Sequence, residues 1–250
     1  MDIAEYVKKH GTVVFYRVTD YPSKRLLEQA KDRGLEKSIR EAVYKKAPEG
    51  IHIFISDISY YPYGKTDRKI ASFVVFARDR VEGENVYNEE IRKAKEIRKE
   101  LKKYIKNKIV PFIGTLNIMG AILIGDVIDK NKYPTKYSDI DIVLLTDKQY
   151  PHKSIKDLIK TLKGSPGSVR VNAYQLPGWK IIRRTLKKEG DVSVEYNLIS
   201  YPKFISLYKR WKKVHKQLPK YSKVAFSSAK VLTGGKVAED FIKKVVELTR

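Results

Sequence analysis

Asp139 and Asp141 stand two residues apart inside the run Ser138-Asp139-Ile140-Asp141-Ile142-Val143-Leu144-Leu145. The run is dominated by Val, Ile and Leu and is closed by Thr146-Asp147, which predicts a buried β-strand. Side chains at i and i+2 of a strand point to the same face. The spacing therefore sets two carboxylates side by side on a mostly apolar element. They repel each other, and leaving them unpaired there is costly. A divalent cation resolves both problems, and Mg²⁺ takes oxygen ligands from one or two carboxylates together with phosphate oxygens. The plainer alternative is a strand end whose acids face water.

A second apolar run, Ile118-Met119-Gly120-Ala121-Ile122-Leu123-Ile124, lies upstream and enters a turn at Gly125-Asp126. The polar connection Val127 to Tyr137 then leads back to the acidic strand. A Gly turn after one strand and two acids on the next can face each other across a phosphate-sized gap. At these residues the chain resembles the DNA polymerase β-like nucleotidyltransferase superfamily. That family's pattern is an apolar strand, Gly-Ser or Gly-Gly, roughly a dozen residues and then Asp-h-Asp-h, with h apolar. It appears here as Ile124-Gly125-Asp126 followed by Ser138-Asp139-Ile140-Asp141-Ile142, and the resemblance covers about residues 90 to 200. Asp126 stands where the family usually has Ser or Gly, and an acid there repels phosphate unless a metal or Lys neutralises it.

The resemblance implies transfer of a nucleotidyl group from a nucleoside triphosphate to an acceptor, with a nucleic-acid 3′ hydroxyl as the expected acceptor and pyrophosphate leaving. It implies two Mg²⁺ ions, with Mn²⁺ as the alternative, bridged by Asp139 and Asp141. It also implies a third carboxylate on a later strand. Asp191-Val192-Ser193-Val194-Glu195-Tyr196-Asn197-Leu198-Ile199 alternates between polar and apolar residues. Glu195 lies inside it and Asp191 at its start, so Glu195 is the expected third ligand. Gly125, Asp126 and Ser138 are the expected nucleotide contacts. Two other readings are a nucleotidyltransferase-fold protein that binds nucleic acid without catalysis, which Asp126 favours, and a toxin–antitoxin component.

The elements that must position these residues are legible from patterning. Thr12–Val18, Ile51–Ile55 and Ala71–Phe76 read as strands, with helices from Ser23 to Ala30 and from Leu35 to Lys46. Tyr60-Tyr61-Pro62-Tyr63-Gly64-Lys65 reads as a hairpin tip. Asn85 to Lys108 carries the apolar stripe Ile91, Ile97, Leu101, Tyr104 and Ile105 and reads as a long helix stopped by Pro111. Glu89–Lys93, Glu96–Lys99 and Glu100–Lys103 are its expected ion pairs. Pro151–Leu162 reads as a helix, Ser168–Tyr174 as a strand and Trp179–Lys188 as a basic helix after the turn Pro177-Gly178. Gly234-Gly235 marks a hinge before a helix over Val237–Leu248. The fold class expected is α/β (α+β). It comprises an N-terminal α/β segment over residues 1–85, a nucleotidyltransferase-type mixed-sheet core over 86–200 and a basic helical C-terminal region over 201–250.

Of 250 residues, 52 are Lys or Arg and 29 are Asp or Glu, a formal charge of +23 that points to a polyanionic partner, RNA or DNA. A lysine-rich thermophile surface is the alternative, although such surfaces usually raise Glu as well. From Lys203 to Lys230 there are nine Lys or Arg and no acid, with Tyr208, Trp211 and Tyr221 interleaved. Arg210, Trp211, Lys212, Lys213 and Lys216 are therefore expected at a nucleic-acid surface, with the basic residues on phosphates. The competing reading buries the stripe Phe204, Leu207, Tyr208 and Trp211 in a core. No cysteine is present, which excludes disulfides and thiolate metal sites. The four histidines lack metal-ligand spacing, and no Walker loop or Gly-x-Ser-x-Gly element occurs. With no apolar run of membrane-spanning length and no apolar signal core near Met1, a cytoplasmic location without membrane partners is expected.

Overall fold

The apolar strands assemble into two separate sheets in the computed structural model, which describes residues 1–63, 66–176, 180–218 and 220–249. The chain divides into two units: Met1–Arg98 with Lys130–Tyr137, and Lys99–Asp129 with Ser138–Arg250.

In the first unit short polar side chains start each helix. Asp2 caps α1 (Ile3–His10) and forms a capping box with Glu5. After β1 (Val13–Thr19), Ser23 caps α2 (Lys24–Ala30) and Asp32 caps α3 (Arg33–Tyr44). Then come β2 (His52–Ile55), β3 (Ile58–Tyr63) and β4 (Thr66–Ala77). The long strand β4 is the centre of the sheet, antiparallel to β1, β2 and β3. Ile3, Val7, Leu26, Leu35 and Ile39 of the helices close over Phe15, Val74 and Phe76 of the strands. The hairpin-tip reading of Tyr60–Lys65 agrees with the antiparallel pairing of β3 with β4, whose last paired residues are Tyr63 and Thr66. Gly64 and Lys65 lie outside the described residues.

Helix α4 (Arg80–Tyr104) runs longer than its stripe suggests at the N-terminal side. Glu89 pairs with Lys93 at 3.0 Å, while Glu96 takes Arg92 at 3.4 Å. Pro111 does not stop the helical path. A π-helical turn, Ile105–Ile109, precedes α5 (Val110–Gly114), and Pro111 falls in the first turn of α5, where a missing N–H costs least.

The second unit continues with β5 (Gly120–Ile124), β6 (Ile140–Thr146), α6 (Lys153–Leu162), β7 (Ser168–Gln175), β8 (Lys180–Lys187), β9 (Ser193–Ser200), α7 (Tyr201–Lys213), α8 (Lys220–Ser227), β10 (Lys230–Thr233) and α9 (Gly235–Glu247). The sheet order is β10-β5-β6-β9-β7-β8. β9 is parallel to both β6 and β7, and the other pairs are antiparallel, so the sheet is mixed. Ile122, Val143, Leu145 and Ile199 face a core built with Phe204, Leu207 and Trp211 of α7 and with Ala238, Phe241 and Val245 of α9. On the opposite face the fully buried Tyr196 shares a 2.6 Å hydrogen bond with Ser165, and burial pushes its phenol up to about 12.

Two sequence expectations change here. Lys180–Lys187 is an edge strand, not a basic helix; its β-branched Ile181, Ile182 and Thr185 were the contrary signal. Pro177, Gly178 and Trp179 lie outside the described residues. The C-terminal region is helical except for β10, a four-residue strand that extends the sheet beyond β5. Gly234 ends that strand at φ +76, and a Cβ there would collide with the backbone of Met119. Among the described residues no helix is long and apolar enough to cross a membrane.

Trp211 is 6 % exposed among Phe204, Leu207 and Phe241. Trp211→Ala is therefore expected to lower the free energy of unfolding by about 3–5 kcal/mol, read from urea denaturation.

Candidate functional site

The second unit alone assembles the site. Asp141, Glu195 and Arg170 come from polar positions in otherwise mostly apolar strands, and sheet register brings those positions into line. Ile124 of β5 pairs with Asp141 of β6, Asp141 with Glu195 of β9, and Glu195 with Arg170 of β7. Residues paired directly across a sheet point to the same face. The next row on that face is Val143, Asn197 and Asn172. Ser138 and Asp139 precede β6, so Asp139 approaches from its entry and not from inside the strand. Asp191 is exposed and lies before β9, outside the row.

Glu195 is held on both oxygens. Arg170 Nη1 donates to Oε2 at 3.1 Å and Asn172 Nδ2 donates to Oε1 at 2.6 Å. The same Arg170 nitrogen stands 3.9 Å from Asp139 Oδ2, so one guanidinium spans two carboxylates. Asn172 also donates to Asn197 Oδ1 at 3.0 Å, and the Tyr174 hydroxyl donates to that oxygen at 3.3 Å. The two acceptors facing Asn172 require its amide nitrogen, which leaves its buried Oδ1 with no hydrogen-bond partner.

Gly125 shapes the opposite edge. It has φ +90, and its carbonyl accepts from Ile128 and Asp129 at 3.3 and 3.2 Å, closing the turn after β5. A Cβ built on Gly125 would lie 2.7 Å from Asp141 Oδ2. The turn backbone and the Asp141 carboxylate are thus in close contact. Asp126 follows in the same turn, half-buried.

The residues named from sequence fall into two groups. Gly125, Asp126, Ser138, Asp139, Asp141 and Glu195 belong to this end of the mixed sheet. Arg210, Lys212, Lys213 and Lys216 belong to the C-terminal helix α7 and the residues just after it. Of these, Lys212 lies 3.8 Å from Glu247 and over the Tyr208 ring, and Lys216 lies over the Trp211 ring. Arg210 and Lys213 are exposed. The Trp211 ring packs in the core and presents no face for a base to stack on. Tyr221's side chain lies outside the described residues.

Arg170, Asn172 and Asn197 were not singled out from sequence. Their signal was present: Arg170, Asn172 and Tyr174 alternate with Val169, Val171 and Ala173, as Glu195 and Asn197 alternate with Val194, Tyr196 and Leu198. What the alternation does not reveal is that β9 lies between β6 and β7.

The carboxylates are hard oxygen donors of the kind Mg²⁺ takes. Asp139 and Asp141 are two such donors, the number of protein carboxylates that Mg²⁺ takes alongside phosphate oxygens. Glu195 accepts one hydrogen bond on each oxygen, from Arg170 and Asn172, which leaves a lone pair on each. Among the described residues no three His, Cys, Asp or Glu side chains form a group that could hold a metal ion.

Gly125→Ala is expected to destabilise the protein by about 1–3 kcal/mol, since it forces a side chain into a left-handed backbone beside Asp141. Adding Asp141→Ala relieves the clash but not the backbone strain, so the double variant should recover part of the loss; a double-mutant cycle of melting curves measures it.

In comparison with known proteins, the chain matches no family model, no curated protein and no solved structure.

Proposed function

We propose that the chain is a nucleotidyltransferase-type protein that moves a nucleotidyl group from a nucleoside triphosphate to an acceptor hydroxyl, with a nucleic-acid 3′ end as acceptor. The observation that carries this reading is the register of the mixed sheet. Asp141 and Glu195 are direct neighbours on parallel strands, Asp139 stands two residues before Asp141, and the Gly125 turn closes against the Asp141 carboxylate. This is the juxtaposition of Gly turn, acid pair and third carboxylate that the sequence resemblance leads one to expect.

In this reading the Gly125 turn lets backbone amides approach the phosphates without a side chain in the way. Asp139 and Asp141 would hold Mg²⁺ with the phosphate oxygens. Bound there, the ion supplies charge neutralisation on the phosphates and lowers the pKa of a coordinated hydroxyl. The acceptor hydroxyl gives up its proton to solvent and its oxygen forms a bond to the α-phosphorus as the bond to pyrophosphate breaks. Arg170 keeps Glu195 oriented and compensates its charge while no other cation is present.

A second reading has its own observation. Arg170 spans Glu195 and Asp139 and already does the electrostatic work of a cation there. A chain that keeps the fold and binds nucleic acid without transfer would need that compensation permanently, and Asp126 beside the phosphate position agrees with it.

Calorimetric titration separates the two. The transfer reading expects a nucleoside triphosphate to bind only with Mg²⁺, and Asp139→Asn or Asp141→Asn each to abolish binding and transfer with melting unchanged. Heat-silent titrations of the wild-type chain would favour the non-catalytic reading. Arg170→Gln gives a further check: with the competing guanidinium gone, Mg²⁺ should raise the melting temperature of the variant more than that of the wild type. An equal Mg²⁺ shift in both would mean that the ion does not meet Glu195 or Asp139.

A further inference from the structure

The β8 end of the mixed sheet carries a second charged feature. Five of the nine residues from Lys180 to Lys188 are Lys or Arg and none is acidic; the nearest acids in the chain, Glu189 and Asp191, follow the run. All five but Lys188 lie in β8, which among the described residues pairs with β7 alone. Lys187 is drawn into the fold and donates to the Ser165 carbonyl oxygen at 2.9 Å. Lys180, Arg183, Arg184 and Lys188 are exposed, and among the described residues they take part in no hydrogen bond or ion pair. Register fixes where they stand. Thr185 pairs with Arg170 and Arg183 with Asn172, so Arg183 lies on the face that carries Asp141 and Glu195. Three strand spacings, about 14 Å, separate β6 from β8 along these rows. Ile181 shares that face, pairs with Tyr174 and is 36 % exposed. Lys180 and Arg184 pair with Gln175 and Val171 and take the other face. A ligand lying along the edge is thus flanked by cations on both sides.

Cations on an edge strand discourage a second β-strand from pairing there. What remains is recognition of an anion by the side chains. Like charges this close repel one another until an anion arrives, and guanidinium forks match phosphate oxygens. Lys180 to Lys187 spans roughly 23 Å of extended chain. Phosphates follow one another every ~3.4 Å along the axis of a helical strand, so a row of them matches this length and a lone nucleotide does not. Position counts as well as charge. A strand whose end reaches Asp139 and Asp141 meets repulsion from those acids, and the cations of β8 attract the rest of its backbone. Ile181 adds an apolar contact for a sugar or base beside Arg183.

We propose that the β8 edge, through Lys180, Arg183, Arg184 and Lys188, is a docking track for a single-stranded nucleic acid whose end lies at the carboxylate site. The track rests on the transfer reading for the strand's being the acceptor. Binding along the edge uses neither the carboxylates nor Mg²⁺.

The test uses the full chain in EDTA and reads the fluorescence anisotropy of a labelled single-stranded RNA of about 12 nucleotides. Arg183→Gln with Arg184→Gln should leave the melting temperature unchanged and weaken binding by about tenfold or more, the loss of two charge-assisted contacts. The log-affinity against log-salt slope should flatten by up to about 1.4, at about 0.7 per lost phosphate contact. Lys180→Gln with Lys188→Gln should act in the same direction, and decides alone should the arginine pair fail to fold. Unchanged affinity and slope in both pairs, or no binding of the RNA by the wild type, overturns the proposal. So does a poly-glutamate peptide of equal charge that binds as tightly as the RNA and loses as much in the variants, because the edge then serves an acidic protein. Titration of the same chains with a nucleoside triphosphate and Mg²⁺ keeps the two inferences apart, and triphosphate affinity should be kept in both pairs. A wild type that binds RNA through β8 but binds no triphosphate supports the track and removes the transfer reading. Triphosphate binding together with an RNA affinity insensitive to β8 does the reverse.

Discussion

Negative charge set into the polar end of an apolar sheet is the constraint on which the second unit depends. Asp141 and Glu195 occupy adjacent positions on parallel strands whose remaining residues are almost all buried. Two carboxylates at such a spacing repel each other, and a cation nearby relieves the repulsion. Arg170 supplies one from β7, and it reaches Asp139 as well as Glu195. Asn172 and Asn197 extend that compensation by hydrogen bonds, so the polar residues form a connected group and not isolated buried atoms. The partnerless Oδ1 of Asn172 is the exception inside that group.

The sheet order follows from how parallel strands must be joined. β6 and β9 run the same way, so the chain needs a long crossover between them, and it uses α6 with the β7–β8 hairpin. That crossover is what delivers Arg170 and Asn172. β7 returns on the far side of β9, parallel to it, and presents its alternate polar positions to Glu195 and Asn197. One face of the sheet is then covered by α7 and α9, whose Phe204, Trp211 and Phe241 fill the space above Val143 and Leu145. The apolar cover ends where the row Asp141, Glu195 and Arg170 begins. The site is thus the uncovered end of a face that is otherwise core.

The surplus of basic residues is spread unevenly in its chemistry. Several C-terminal cations are drawn into the fold, Lys212 by Glu247 and Tyr208, and Lys244 by Asp240. The tyrosine–acid contacts Tyr201–Asp240 and Tyr208–Glu247 tie α7 to α9 beneath them. In the first unit, by contrast, Arg17 and Lys136 gather on carbonyl and aromatic partners. A basic run in a sequence therefore says little about which of its charges remain available to a polyanion.

Much of this was legible in the sequence, for local reasons. The Gly125 turn and the alternation of polar and apolar residues around Asp141 and Glu195 are local signals, which chain neighbours alone determine. Caps at Ser23 and the stripe of α4 are likewise local. The burial of Trp211 followed from its place in an apolar stripe, although the same residue also suited a stacking surface, and only packing against α9 decided between them. Lys180–Lys187 misled because its cations suit an exposed helix as well as an edge strand; pairing with β7 made it a strand. Above all, the partner of Glu195 was decided by tertiary structure. Arg170 and Glu195 are 25 residues apart, and nothing local to either says that β7 and β9 will lie side by side. Strand order depends on which apolar faces can be buried together, a property of the whole chain, and that order turned separate polar residues into one charge-compensated site.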